Sequence, residues 1–297
     1  MNILLLGGNG FLGKGLQEVM KAQNDTVKSV DINDYDLSDS ANIDKIVEDL
    51  KDIQRVVILA AKLGVKLFEI DGINAANHNH RVFDNIFEAI KIASKKYYHK
   101  FSVIYYSTSE VYGSLKYPSC IITPMTPVRT EFNTIRSNYS KEKLEDEERL
   151  MTAYKDGLLS SCTIIRPFNI SGKNQKIGVL YSMVKDALTK NTISYNRNTT
   201  RTITGIDEAS MCCYLHIKYC PTNVYNIAND KCSLYMKTLA EIVAEVLELN
   251  VGFIELPEDT EIQYRHVSSP DQFVGLAKNI LRPHILQLKE EILNEHV

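Results

Sequence analysis

The run Met1-Asn2-Ile3-Leu4-Leu5-Leu6-Gly7-Gly8-Asn9-Gly10-Phe11-Leu12-Gly13 decides how the rest of the chain is read. Asn2–Leu6 is a short apolar strand, and four glycines crowd the next seven positions. Between a strand and a helix, such glycines let backbone approach a pyrophosphate at the positive helix terminus. Gly7, Gly10 and Gly13 keep a three-residue spacing, and Phe11 and Leu12 open the helix between the last two. The first cofactor contacts are therefore read at Gly7, Gly10, Phe11, Leu12 and Gly13. Asp31 ends the second strand, where a carboxylate accepts hydrogen bonds from adenosine ribose hydroxyls. No arginine stands among Ile32, Asn33 and Asp34 to neutralise a 2′-phosphate, so the cofactor is read as NAD.

Strand-like runs recur at Asn2–Leu6, Thr26–Val30, 55–59, 101–106, 162–166 and 224–228, and helical apolar spacing is clearest over 77–93, 139–154 and 238–247. That alternation predicts an α/β fold, a Rossmann-type doubly wound parallel sheet with a smaller α/β substrate-binding lobe. The rhythm weakens over 173–204, which reads as polar, and 191–201 shows no apolar period. The domains are accordingly placed at 1–170 for cofactor binding, with 206–228 returning to it, and at 171–205 with 229–297 for the lobe.

With 297 residues the chain can bury a substantial core. Its net charge of -3 and isoelectric point near 6.2 offer no basic field for nucleic acid or anionic lipid. The start reads as a strand and not as a leader, no run is long enough to span a membrane, and a cytoplasmic location is expected. Cys120, Cys162, Cys212, Cys213, Cys220 and Cys232 lack metal-ligand spacing and are read as reduced thiols, so no metal is expected.

Ser107-Thr108-Ser109-Glu110-Val111-Tyr112-Gly113 follows the strand at 101–106, at the strand end where open α/β sheets bind ligands. Tyr139 and Lys143 are one helical turn apart, a spacing at which an ammonium can lower a phenol's pKa. The same spacing recurs at Tyr112/Lys116, Tyr181/Lys185 and Tyr214/Lys218, so position selects Tyr139, which alone begins a helix soon after the serine-threonine segment. Lys141, Glu142 and the acidic stretch from Glu145 to Glu148 read as a solvated charged face.

With these motifs in place, the chain resembles the extended short-chain dehydrogenase/reductase family over nearly its whole length, in particular its NAD-dependent nucleotide-sugar epimerases, dehydratases and decarboxylases. Asp36-Leu37 resembles the family's adenine-contacting pair, and Leu59-Ala60-Ala61 the strand end beside the cofactor. Asn79 and Asn85 match its helix asparagines, and Ile32, Asn79, Tyr139, Lys143 and Arg166 join the cofactor set. Arg166-Pro167-Phe168-Asn169-Ile170-Ser171-Gly172 is similar to a segment whose asparagine contacts the substrate diphosphate. Arg201 opens a second such segment, while Arg265 is only loosely aligned with a further diphosphate-binding arginine. Ile58 and Ile203 depart from the usual histidine and aromatic residue.

The resemblance implies a nucleotide-diphosphate sugar as substrate and a transient 4-keto sugar as intermediate. Tyr139 is then the base, Lys143 its electrostatic partner, Thr108 the group that positions the sugar, and Ser109 and Glu110 their neighbours. Epimerisation or dehydration is the leading reading, with Glu110 hinting at a second proton transfer. Decarboxylation of a UDP-glucuronate type of substrate, a one-step 4-keto-sugar reductase, and a non-catalytic NAD-binding scaffold or redox sensor are the alternatives. A homodimer is implied through 77–93 and 139–154, whose apolar stripes can face a partner or the sheet.

Overall fold

The computed structural model describes residues 1–62, 65–129, 135–257 and 263–295. In chain order the elements run β1 (Asn2–Leu6), α1 (Phe11–Ala22), β2 (Thr26–Val30), α2 (Ile43–Asp49), β3 (Arg55–Ile58), α3 (Val65–Tyr97), β4 (Ser102–Tyr106), α4 (Ile135–Lys155) and β5 (Ser161–Pro167). They continue through β6 (Ile170–Ser171), α5 (Val179–Lys190), β7 (Thr192–Asn196), β8 (Thr200–Thr202), β9 (Thr204–Gly205), α6 (Ile206–Tyr219) and β10 (Asn223–Ile227). The last are β11 (Ser233–Tyr235), α7 (Met236–Leu247), β12 (Gly252–Leu256), β13 (Tyr264–Arg265) and α8 (Val274–Asn294).

The chain divides into two units. The first comprises Met1–Val111, Arg129–Arg166 and Ser210–Tyr225. Its frame is a six-stranded sheet in the order β10-β5-β4-β3-β1-β2, in which β2, β1, β3, β4 and β5 pair in parallel. β1 feeds β2 on one side and the chain then returns to β3 on the other, with Leu6 in register with both Val30 and Ile58. That reversal is the switch point of a doubly wound sheet, and it puts the loops after β1 and β3 side by side. β10 lies at the edge beside β5, where the sequence at 224–228 predicts a returning strand.

The sheet strands are apolar because helices cover them: Leu4, Val56, Val103 and Ile164 are fully buried. Val82, Phe83, Ile86, Ala89, Ile90 and Ala93 of α3, with Leu150 and Ala153 of α4, join that core. These positions of the two stripes are used inside the unit, while Phe87 of α3 and Leu144 and Met151 of α4 are only half-buried.

The second unit comprises Tyr112–Val128, Pro167–Ala209 and Asn226–Val297. It holds the three-stranded sheet β11-β8-β13, the parallel pairs β12-β7 and β6-β9, and a core built from α5, α7 and α8. The reading of 173–204 as a polar stretch, with no apolar period over 191–201, is corrected here. Leu180, Met183, Val184 and Ala187 recur at helical spacing and are buried, and Ile193 and Tyr195 alternate inward along β7. The polar residues between them face outward and mask both periods when the segment is read by average composition.

Candidate active site

The glycine loop is shaped by sterics. Gly7 has φ +89°, and a Cβ there would lie 2.7 Å from the Ala60 nitrogen. Gly13 is tighter still, since a Cβ would stand 2.3 Å from the Gly8 carbonyl oxygen. The loop is tied to the sheet where Gly7 N–H donates to the Val30 carbonyl at 2.8 Å and the Leu59 and Ala60 amides donate to Leu6 at 2.9 Å. α1 then starts from Gly10 with no side-chain cap and no acidic residue in its first turn, at Phe11, Leu12 and Gly13. Backbone that any side chain would block, together with an uncapped and unopposed helix terminus, fits a pyrophosphate.

Asp31 directly follows β2, and its carboxylate accepts hydrogen bonds from the Asn9 amide at 3.1 Å and the Ile32 amide at 2.8 Å. The carboxylate therefore sits against the glycine loop, while Ile32 itself is exposed. Asp36 caps its own turn by accepting from the Ser38 amide and hydroxyl, and this backbone bond holds its carboxyl below the usual range. Asn85 donates to the buried Leu37 carbonyl at 2.9 Å, anchoring that turn to α3. After β3, Leu59, Ala60 and Ala61 lead to Lys62, whose amide and carbonyl are both held by the Asn79 side chain, at 2.7 and 3.1 Å.

Thr108 and Ser109 follow β4 and are buried. The Thr108 hydroxyl is hydrogen-bonded to the Tyr139 phenol, a contact that favours the phenolate. It also accepts from the Glu110 amide at 3.2 Å, and Glu110 is close enough to act electrostatically on Tyr139. Lys143 is buried with its Nζ 5.9 Å from the Tyr139 ring centre, yet it donates to the Tyr105 hydroxyl at 3.0 Å. The expected lowering of the phenol's pKa is not what this arrangement gives. Burial first, and then the charges of Glu142 and Glu110, push Tyr139 up.

The charged run on α4 is corrected as well. Lys141 and Glu148 are exposed, but Glu142, Asp146 and Glu147 are buried. Glu147 accepts from Arg166 Nε at 3.0 Å and from Nη2 at 2.5 Å, a two-point ion pair joining α4 to β5. Arg166 is thus held in place at the end of β5 by Glu147. Glu147→Ala should lower the unfolding free energy by about 3–5 kcal/mol, because it strands a buried guanidinium. Denaturant titration checks this, and a loss below about 1 kcal/mol contradicts it.

In the second unit, Asn169 has φ +34° and donates from its side chain to the Thr202 carbonyl at 3.2 Å. β13 runs parallel to β8 with Arg265 in register with Arg201. Both guanidiniums donate to the Gln263 side-chain oxygen, and Arg201 also reaches the Gln263 carbonyl at 3.0 Å. Arg265 is thereby placed beside Arg201, a neighbourhood set by strand pairing and invisible to motif spacing. None of the six cysteines forms a disulfide, and among the described residues no group of acidic, histidine and cysteine side chains is arranged to hold a metal. Among the described residues no helix is long and apolar enough to cross a membrane.

Comparison with known proteins gives a consistent picture. The model of the NAD dependent epimerase/dehydratase family matches residues 3–228. A GDP-6-deoxy-D-talose 4-dehydrogenase from Aggregatibacter actinomycetemcomitans is 22% identical over 293 residues, covering 95% of this chain and 90% of that protein. Among solved structures, the UDP-glucose 4-epimerase of Thermus thermophilus, a complex with NAD, superposes with a TM-score of 0.81 at 18% identity over 97% of this chain and 99% of that one. RMD from Pseudomonas aeruginosa, complexed with NADPH, gives 0.77 at 18% identity over 99% of both chains. At these identities the structures speak for the fold.

Proposed function

Because the chain belongs to the NAD dependent epimerase/dehydratase family, we propose that it acts on a nucleotide-diphosphate sugar through a transient 4-keto sugar, as an epimerase or dehydratase. The observation that carries this reading is the Thr108 hydroxyl bonded to the Tyr139 phenol, with Lys143 one turn further along α4, in the unit that also holds the glycine loop. The cofactor is NAD, which when bound takes up and returns a hydride. Gly7, Gly10, Gly13 and the first amides of α1 would hold its pyrophosphate, and Asp31 its adenosine ribose. Asp36, Leu37, Leu59, Ala60, Ala61 and Asn79 would flank the remainder.

Tyr139 takes the proton of the sugar hydroxyl and Thr108 holds the same oxygen in place, while Lys143, bonded to Tyr105 in this arrangement, is a nearby cation that would balance a phenolate. Ketone formation acidifies the adjacent carbon, where the Glu110 carboxylate handles the second proton. Asn169, Arg201 and Arg265 bind the diphosphate, the two arginines by charge and paired N–H donors. A homodimer in the cytoplasm is the assembly and location proposed, and light scattering of the purified protein reads the former.

The test is incubation with UDP-, GDP-, dTDP- and CDP-sugars, following products by mass and sugar stereochemistry. An unchanged mass with inverted stereochemistry identifies an epimerase, and loss of water a dehydratase. Loss of carbon dioxide moves the reading to a decarboxylase, and no conversion of any sugar overturns it. A second reading, one hydride transfer with cofactor exchanged each cycle, is favoured by the 4-dehydrogenase among the relatives. Dependence of turnover on added dinucleotide separates the two.

Asp31 gives an independent check on the cofactor. Asp31→Asn should shift the ratio of NAD to NADP binding toward NADP by about tenfold, on the scale of one charge–charge term near a protein surface. Competitive titration of the two dinucleotides measures that ratio, and an unchanged ratio removes Asp31 from the account.

A further inference from the structure

Around Lys143 lie buried carboxylates that the reaction described above leaves unused. Lys143 donates to the Tyr105 hydroxyl at 3.0 Å, and that hydroxyl donates to Asp146 at 2.6 Å, so Asp146 is the counter-ion that Lys143 reaches through Tyr105. Glu142, one turn before Asp146 on α4, accepts a single hydrogen bond at 3.2 Å from the uncharged Asn79 amide. Its other oxygen is buried without a partner, as is one oxygen of Asp146. One buried cation therefore faces two buried carboxylates, and only one of them can be balanced.

We propose that Glu142 is a positioning residue that works through Tyr139 and Lys143 as a protonation-dependent brake: neutral, it leaves the pair able to act, and ionised, it adds a buried negative charge that opposes formation of the phenolate. The inference rests on the reading of Tyr139 as the base.

The surroundings agree on which carboxylate keeps its proton. Burial, with Asp146 and Glu145 beside it, pushes Glu142 up to about 8 against the pull of Lys143 and Asn79. Burial raises Asp146 too, but only to about 6, since Lys143, the Tyr105 hydroxyl, His80 and Arg149 all favour its charged form. From α3, Asn79 faces Glu142 and His80 faces Asp146 and lies 3.6 Å from Glu145; from β4 comes Tyr105; from the turn beyond it Glu110 acts on Tyr139. Glu142 is the largest charged influence on the Tyr139 phenol and acts in the direction that disfavours the phenolate.

The experiment uses the purified holoenzyme. Wild-type kcat should fall as pH rises above about 8, by up to about tenfold per unit, while Glu142→Gln, which keeps the shape and the Asn79 contact, should hold its rate to about pH 9. Loss of the same limb in both proteins overturns the proposal. Two further readouts do not use turnover. A carboxyl whose folded pKa is raised loses stability as pH rises toward that value, so the melting advantage of Glu142→Gln over wild type should widen from about pH 5 to about pH 8 and then level off. Infrared difference titration of wild type alone should show a protonated carboxyl persisting at neutral pH and ionising near 8. Its absence above about pH 6 overturns the proposal even if the variant does not fold. Tyr139→Phe keeps the two readings apart: turnover surviving in that variant sinks the assignment of the base, whereas an unaltered pH profile in Glu142→Gln beside an inactive Tyr139→Phe sinks only the brake.

Discussion

Tyr139→Phe is expected to lower kcat by about 10²–10⁴-fold, the range for removal of a positioned acid–base group, with KM and bound NAD little changed. The phenylalanine ring fills the same space, and only the hydroxyl that meets Thr108 is lost. Thr108 then keeps its bond from the Glu110 amide, so the turn after β4 is left intact. Steady-state kinetics on the converted sugar, with cofactor content measured in the same preparation, checks the split. A fall of less than about tenfold, or an equal loss of cofactor, points to a structural hydroxyl instead of a reacting one.

Gly13→Ala is the second large effect. A methyl at this position would stand 2.3 Å from the Gly8 carbonyl oxygen and 2.6 Å from the carbonyl carbon and Cα of Gly8. The opposing atoms are all backbone and cannot rotate away, so the loop must open. Opening it breaks the alignment of the first amides of α1 with the bend at Gly7. NAD affinity should drop about a hundredfold or more, and the fold should lose about 1–3 kcal/mol through overpacking. Calorimetric titration of cofactor-stripped protein reads the first and thermal unfolding the second. Normal NAD affinity in Gly13→Ala removes the glycine loop from the cofactor site.

These expectations come from parts of the molecule that local sequence describes well. The glycine spacing after β1, the apolar strands and the single tyrosine at the right distance past Thr108 are short-range patterns. The fate of α4's charges is different. Lys141, Glu142 and the acidic positions that follow alternate as a solvated helix does, and the burial of Glu142, Asp146 and Glu147 depends on Asn79, Tyr105 and Arg166, which reach them from α3, β4 and β5. No periodicity within α4 reports that. Arg265 is legible only once β13 is known to lie beside β8 in register with Arg201. α5 and β7 were within reach of sequence, since Leu180, Met183, Val184 and Ala187 keep a helical period and Ile193 and Tyr195 a strand period. The polar residues around them hid both. The direction of the shift at Tyr139 belongs to the first class of failure: a lysine one turn away predicts a lowered pKa, but Lys143 is drawn inward to Tyr105 and burial decides the sign.

The most direct test of the central claim is to supply the converted nucleotide sugar with deuterium at carbon 4, omit free dinucleotide, and follow the label. Retention of deuterium in the sugar product over many turnovers, with NAD released in near-equal amount when the protein is denatured, is the result predicted for a hydride that leaves and returns within one site. Label lost to an added cofactor pool, or no turnover until that pool is supplied, contradicts it and establishes the single-transfer dehydrogenase.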